Sequence, residues 1–365
     1  MNRIILIGNG FDLAHDLKTS YADFIEWYWE KWGKSLLGRG GILLDDGICS
    51  FRLKSNVGLA NWYDVWHYYY GKDLQCGSWK EDEVLEIAKQ DRTLCDFTIK
   101  SPFFETICEK LKTKKWVDVE DVYYDFLKKS NNPQQLNDDL EFIKKKLIEY
   151  LNTLTEPTLN SIIQNQIFAP ISKEDIAIGS MEAFFKMRVT SRSLSPDKIM
   201  LLNFNYTNTA DIYLQTNDLF SVNHIHGSLS SPESVIFGYG DEHDDEYQPL
   251  MKKNDNEYLR HIKSFRYLES SNYRKMLGFI ELGPYQVCIM GHSCGISDRT
   301  LLKTLFEHKN CVSIKPYYHK KADETDDYWD IVCNIARNIS DPSLMRDRVV
   351  RKEHCQPLGQ LSPNN

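Results

Sequence analysis

Ile4-Ile5-Leu6-Ile7-Gly8-Asn9-Gly10-Phe11-Asp12-Leu13 decides the fold class of this 365-residue chain. Consecutive apolar, mostly β-branched residues run into a pair of glycines and then into a helix-like pattern. A strand buried on both faces, a tight turn and a helix N-terminus, in that order, open a nucleotide-binding α/β domain. Glycine lets backbone N–H groups approach a pyrophosphate, and the helix dipole favours negative charge there. The loop alone also has a plainer reading, in which Gly8 and Gly10 only turn the chain between a core strand and a packed helix. The third glycine of the dinucleotide fingerprint is missing, since Leu13 stands in its place. Asp12, a carboxylate beside the expected phosphates, either caps the helix or accepts from a ribose hydroxyl.

The length gives a prior of roughly two domains and ample core. The hydrophobic fraction of 42% is ordinary for a soluble protein. No apolar run approaches the ~18 residues of a membrane span, so no membrane partner is expected. The N-terminus has no basic region ahead of an apolar signal core, so the expected location is the cytoplasm. Nine cysteines, an odd number with no C-x-x-C pair, argue against a zinc ribbon and a disulfide framework. A net charge of −8 argues against a large phosphate-binding surface, and nucleic acid is not indicated. The basic runs at 110–115 and 144–146 read as solvated helix faces.

Outward from the opening, residues 20–34 read as an aromatic-rich helix. Residues 38–78 break into glycines, short apolar pieces and an aromatic cluster between Trp62 and Tyr70. Helical periodicity returns at 81–94, 103–111, 119–129 and 136–154, and Pro157 and Pro170 then punctuate the chain. Strand character reappears at 198–203, 221–225, 234–237, 285–290 and 312–316, with helical patterns at 299–308 and 326–335. Such alternation implies an α/β fold: a Rossmann-like, mostly parallel sheet flanked by helices, with a large, mainly helical insertion. The expected nucleotide-binding domain takes residues 1–34 and 196–355, the insertion 35–195 and a flexible tail 356–365.

Three later segments follow apolar runs and are dense in small polar groups: Asn203-Phe204-Asn205-Tyr206-Thr207-Asn208-Thr209, Asn223-His224-Ile225-His226-Gly227-Ser228-Leu229, and Met290-Gly291-His292-Ser293-Cys294-Gly295-Ile296-Ser297-Asp298. In a parallel sheet these positions are the functional loops at the strands' carboxyl ends. In this order the segments resemble the sirtuin-like superfamily, and within it the AbiH family of bacterial phage abortive-infection proteins. Gly8-Asn9-Gly10-Phe11-Asp12-Leu13 followed by Leu17-Lys18-Thr19-Ser20-Tyr21-Ala22-Asp23-Phe24 resembles that family's opening signature. Trp116-Val117-Asp118-Val119-Glu120 resembles its mid-chain motif. Phe204-Asn205-Tyr206-Thr207, His226-Gly227-Ser228-Leu229 and Gly291-His292-Ser293 continue the likeness.

The resemblance implies phage defence by depletion of NAD or a related nucleotide, through hydrolysis of the nicotinamide–ribose bond, with Asn205 and His226 catalytic and no metal. An amide can donate to and accept from ribose hydroxyls and water at once, and a histidine near neutral pKa can take a proton from either. Gly8 and Gly10 would cradle the pyrophosphate. Thr19, Ser20, Tyr21 and Phe24 would wall the nicotinamide pocket, and Gly291 and Ser293 would lie along the ribose and adenosine side. Asn9, Phe11, Asp12, Thr207, Gly227, His292 and Asp298 complete the expected ligand-contacting set. Sirtuins carry Asp where this chain has Thr207, and their zinc-binding cysteine pairs are missing after His226, so deacetylation is not expected. NAD hydrolysis, ADP-ribosyl transfer and binding without turnover stay open. Restraint of such an activity implies autoinhibition, self-assembly into a homo-oligomer, or a phage-derived trigger or defence partner protein, with the insertion as its natural seat.

Other readings stand beside these. His226 reads alternatively as a hydrogen-bonded packing residue and Asn205 as a turn former; His224, two residues earlier, faces the other way. Asp118 or Glu120 suits a helix N-terminus. Asp241-Glu242-His243-Asp244-Asp245-Glu246 fits neither an EF-hand nor a zinc motif and reads as an acidic lid. Gly291-His292-Ser293-Cys294-Gly295 satisfies the nucleophile-elbow pattern of a serine hydrolase, for which Asp323 or Asp327 with His354 would complete a triad. A nucleotide sensor or scaffold that binds without cleaving is the alternative from another class.

Overall fold

A computed structural model describes residues 1–38, 43–54, 95–113, 118–180, 193–215 and 218–360. The chain divides into two units, Met1–Thr19 with Leu151–Asn365, and Ser20–Tyr150.

The first unit is an α/β layer structure, and its elements are numbered along that unit. Strand β1 (Asn2–Ile7) is buried along its whole length and leads into the short helix α1 (Asn9–Leu13). Helix α2 (Ser161–Phe168) follows, and then β2 (Ile199–Asn203) and β3 (Phe220–His224). After the short helices Tyr247–Met251 and Lys263–Arg266 come α3 (Asn272–Glu281), β4 (Tyr285–Met290), α4 (Arg299–Glu307), β5 (Cys311–Tyr318), α5 (Tyr328–Arg337), α6 (Pro342–Arg348) and β6 (Gln356–Pro357). The six strands form one sheet in the order β3-β2-β1-β4-β5-β6. Every neighbouring pair is parallel.

That order is the dinucleotide-binding one, in which the chain winds outward from the centre in both directions and ligands bind at the reversal. The reversal here lies between β1 and β4, where Ile5 is opposite Leu201 on one side and Cys288 on the other. Continuous apolar runs are what a sheet covered on both faces requires. Alternation along β1 divides them: Ile4 and Leu6 pack with α3, α4 and α5 through Met276, Leu302 and Ile335. Ile5 and Ile7 face Phe11, Ile163 and Ile167 on the opposite side.

The structure departs from expectation at several points. Residues 234–237 form no strand: Pro232–Ser234 is a 3-10 turn, and Ile236 packs in the core with its N–H donating to the His226 carbonyl and its own carbonyl accepting the Tyr206 hydroxyl. Gln356–Pro357, expected in the tail, pairs with Tyr317 and Tyr318 as the sheet's last strand. The helix Ser161–Phe168 lies in the sheet-bearing unit because its isoleucines bury against that sheet.

The second unit combines helices Tyr21–Gly38, Pro102–Thr113, Val119–Lys129 and Pro133–Leu151 with a three-stranded antiparallel sheet of Leu43–Asp45, Cys49–Leu53 and Cys95–Ile99. Asp118 caps its helix by accepting from the N–H groups of Glu120 and Asp121. The aromatic cluster at 62–70, the expected helix at 81–94 and Trp116-Val117 lie outside the described residues. Among the described residues no helix is long and apolar enough to cross a membrane.

Candidate functional site

The glycines of the opening loop meet a third glycine from the far end of the chain. At Gly291 the backbone takes φ +78°, and a Cβ there would lie 2.0 Å from the Phe11 nitrogen. A Cβ on Gly8 would fall 2.4 Å from the His292 Cα, so the ends of β1 and β4 touch backbone to backbone. The Gly8 N–H donates to the Met290 carbonyl (3.3 Å), the Gly10 N–H to that of Gly291 (2.9 Å) and the Phe11 N–H to that of Gly8 (2.8 Å). These donors, expected to cradle a pyrophosphate, are engaged within the protein. Asn9 accepts the Thr19 hydroxyl through Oδ1 at 2.6 Å.

One side of this junction carries the buried carboxylate of Asp12. Asn205 follows β2, and its Nδ2 donates to the Gly8 carbonyl at 2.9 Å, while its own N–H donates to Asn203 Oδ1 at 3.0 Å. Thr207, two residues on, donates its hydroxyl to Asp12 Oδ2 at 2.7 Å. Asp12 neither caps a helix nor reaches solvent: it is 1% exposed, and its Oδ1 has no hydrogen-bond partner among the described residues. Burial pushes its carboxyl up to about 6, against the lowering effect of the bond from Thr207 and of the nearby Thr209 and Asn205. A carboxylate therefore does stand beside position 207, supplied from α1. His224 adjoins this group through Asn203, whose Nδ2 lies 3.2 Å from its Nδ1, and its Nε2 is 2.9 Å from Asp211.

On the other side lies a buried ionic cluster. Lys263, fully buried, places Nζ 2.8 Å from Asp298 Oδ1. His226 Nε2 is 3.3 Å from the same oxygen and 3.1 Å from the Tyr267 hydroxyl. His292 Nε2 is 3.6 Å from Asp298 Oδ2, and its Nδ1 accepts the Cys294 N–H at 2.9 Å. The Phe204 ring lies edge-on to both imidazoles, with centroids 5.1 Å from His226 and 4.1 Å from His292. Burial opposes ionisation of Asp298, but Lys263 and the imidazoles overcome it and hold the carboxyl well below the usual range. Burial, aided by Lys263, keeps His226 below its ordinary 6.5. The neutral imidazole is thereby favoured, and a carboxylate facing Nε2 favours the tautomer that carries its proton there and leaves Nδ1 basic.

The glycine junction, these two polar groups and all of the sheet but its last strand and the first residues of β1 lie within a family match: bacteriophage abortive infection AbiH matches residues 4–319. The chain belongs to the AbiH family. No curated protein and no solved structure matches it. Membership in AbiH gives the protein its role, in the abortive infection of bacteriophage.

Of the residues expected to form the site, this AbiH chain brings Gly8, Gly10, Phe11, Asp12, Asn205, Thr207, Gly291 and His292 together by direct contact, and His226 and Asp298 join through His292 and Phe204. Gly227, at φ +80°, packs against the Ser234 carbonyl instead. Ser20, Tyr21 and Phe24 belong to the second unit, where the Ser20 hydroxyl bonds Asp23. Ser293 is exposed, and the strained residue of its loop is Cys294 (φ +53°). The triad partners considered for it are tied elsewhere: Asp323 to Thr325, Asp327 to the His319 N–H, and His354 to Arg351. The acidic loop is fastened at its start, since Asp241 is buried and accepts from Arg299 at 2.7 Å, and the Glu242 N–H donates to Thr300 Oγ1. Lys263 was not foreseen; a lone lysine among Ile262 and Phe265 was its only trace in the sequence.

Proposed function

We propose that the crevice at the carboxyl ends of β1, β2 and β4 takes NAD or a related nucleotide and hydrolyses the nicotinamide–ribose bond. In this reaction the C1′–N bond breaks and its electron pair leaves with nicotinamide. Water then attacks C1′ of the ribosyl cation and gives up one proton, so that the products are nicotinamide, ADP-ribose and H⁺. Asn205 holds the ribose or the water, the Asp12 carboxylate behind Thr207 stabilises the cation, and His226 Nδ1 receives the proton. The observation that carries this reading is the Asp12–Thr207 bond of 2.7 Å next to Asn205 at the sheet's reversal, which returns a carboxylate to the place where the resemblance lacks one. A cell that keeps such an enzyme needs it held off, by a phage-derived trigger, a defence partner or self-assembly, until infection.

A second reading, nucleotide sensing without turnover, draws on the burial of His226, which is 4% exposed. Nicotinamide release from NAD separates the two. Wild type, Asn205→Ala and His226→Gln are compared with and without lysate from phage-infected cells, alongside NAD binding by calorimetry. Release that vanishes in both folded variants supports hydrolysis. Binding without release under every condition supports sensing, and neither binding nor release overturns both.

A further inference from the structure

Outside the crevice, the first unit holds an open pocket of about 300 Å³ lined by His243, Arg299, Lys303, Arg337, Asn338 and Ser340. Arg299 and Lys303 are one turn apart on α4 and so share a face. Arg337 ends α5, and Asn338 and Ser340 follow it. Three cationic side chains thus converge on one cavity in a chain whose net charge is −8.

Their neighbours neutralise only part of that charge. Asp241 pairs with Arg299 at 2.7 Å. The Arg299 Nε is buried and has no hydrogen-bond partner among the described residues. Arg337 donates to the neutral Asn334 amide at 2.5 Å, and Lys303 forms no ion pair among the described residues. At the rim, the Glu307 carboxylate accepts the Ser340 N–H. Fixed cations in a concave site that leave charge uncompensated are placed for an anion, and guanidinium groups match phosphate oxygens in particular. The volume suits a phosphate or pyrophosphate with part of what it is attached to.

We infer that this pocket binds the phosphate group of a phosphorylated ligand, using Lys303, Arg337 and the free face of Arg299. It supplies phosphate donors in a fold whose usual ones, the N–H groups of Gly8 and Gly10, are engaged. The inference stands whether or not the crevice hydrolyses NAD.

Calorimetry on the full chain tests it with two probes, inorganic pyrophosphate and ADP-ribose, on wild type, Lys303→Gln, Arg337→Gln and the double variant. Neither residue belongs to the crevice or to the Asp241 pair; Arg337 reaches the Ser293 loop only through Asn334, so Lys303→Gln is the cleaner of the two variants. Pyrophosphate binding is expected to fall roughly tenfold in each single variant and further in the double, and to weaken with added salt, while the melting temperature stays put. A parallel loss of ADP-ribose identifies the ligand as a nucleotide; pyrophosphate loss with ADP-ribose unchanged identifies a free or other phosphate. Wild type that fails to bind pyrophosphate, or a folded double variant that binds it as tightly as wild type, overturns the inference.

Discussion

Replacing Asp12 by Asn tests the buried carboxylate directly. In the folded protein burial lifts this group from its ordinary 3.8 to about 6, and in the unfolded chain it returns to the ordinary value. The unfolded state therefore releases its proton first as pH rises. Asp12 favours folding fully below the unfolded value, and that contribution is lost as pH climbs through about 6. The interval is a little over two pH units at about 1.4 kcal/mol each, or about 3 kcal/mol of stability given up by neutral pH. An asparagine is nearly isosteric with the protonated acid, and its carbonyl can still accept the Thr207 hydroxyl. Asp12→Asn should match wild type within about 1 kcal/mol near pH 4 and exceed it by about 2–3 kcal/mol near pH 7.5.

Urea unfolding at intervals across that range gives the difference between the two proteins, in which every other titrating group cancels. This includes His226, whose lowered pKa acts in the opposite sense, since its contribution is present above 6.5 and lost as pH falls. A difference that stays flat, or wild type gaining on the variant as pH rises, refutes the reasoning. On the proposed chemistry the same variant loses nicotinamide release although it is the more stable protein, the trade expected of a strained functional group.

Two further substitutions probe the frame. Gly291→Ala should cost at least ~2 kcal/mol by urea unfolding, through both its positive φ and the clash with the Phe11 nitrogen; an unchanged midpoint would show that β1 and β4 do not meet this closely. Lys263→Met should cost about 3–5 kcal/mol because Asp298 is left charged and buried, whereas Lys263→Met with Asp298→Leu should recover most of it. Equal losses in the single and double variants would argue against the pairing.

The central sheet was legible because strands buried on both faces leave unbroken apolar runs: 285–290 was read to the residue, and 198–203 to within one. Apolar content alone signals burial and not a ladder, which is why 234–237 was misread. The short strands near 43–53 and 95–99 were not foreseen, because pieces of three to five residues carry too little alternation to stand out from irregular chain. Asn205, His226 and the glycine loop were each legible from their motifs. Their partners were not. Whether Gly8 offers its N–H to a ligand depends on Met290, and whether position 207 has a carboxylate depends on Asp12, both settled by strand order and far apart in sequence.

Strand order also explains how two carboxylates near one glycine junction acquire opposite characters. Asp12 sits among hydroxyls and amides with no cation in hydrogen-bonding contact among the described residues, so burial dominates and its carboxyl rises to about 6. Asp298 is also buried, but Lys263 is 2.8 Å away and holds its carboxyl in the ionised form. Apolar residues of similar volume would serve stability at least as well as such a buried pair, so the fold by itself gives little reason for the arrangement. A site that must divide labour between acids gives a good one, because groups whose environments drive their titrations apart can take distinct roles at one pH. On the proposed chemistry Asp12 is the group whose charge responds near neutrality, while Asp298 keeps a constant charge and holds His226 in the tautomer that leaves Nδ1 basic. If Asp298→Asn in a folded protein shifts the acid limb of the nicotinamide-release profile while Asp12→Asn abolishes release, that division is established. If the two variants act alike, the carboxylates form one electrostatic unit and the division is wrong.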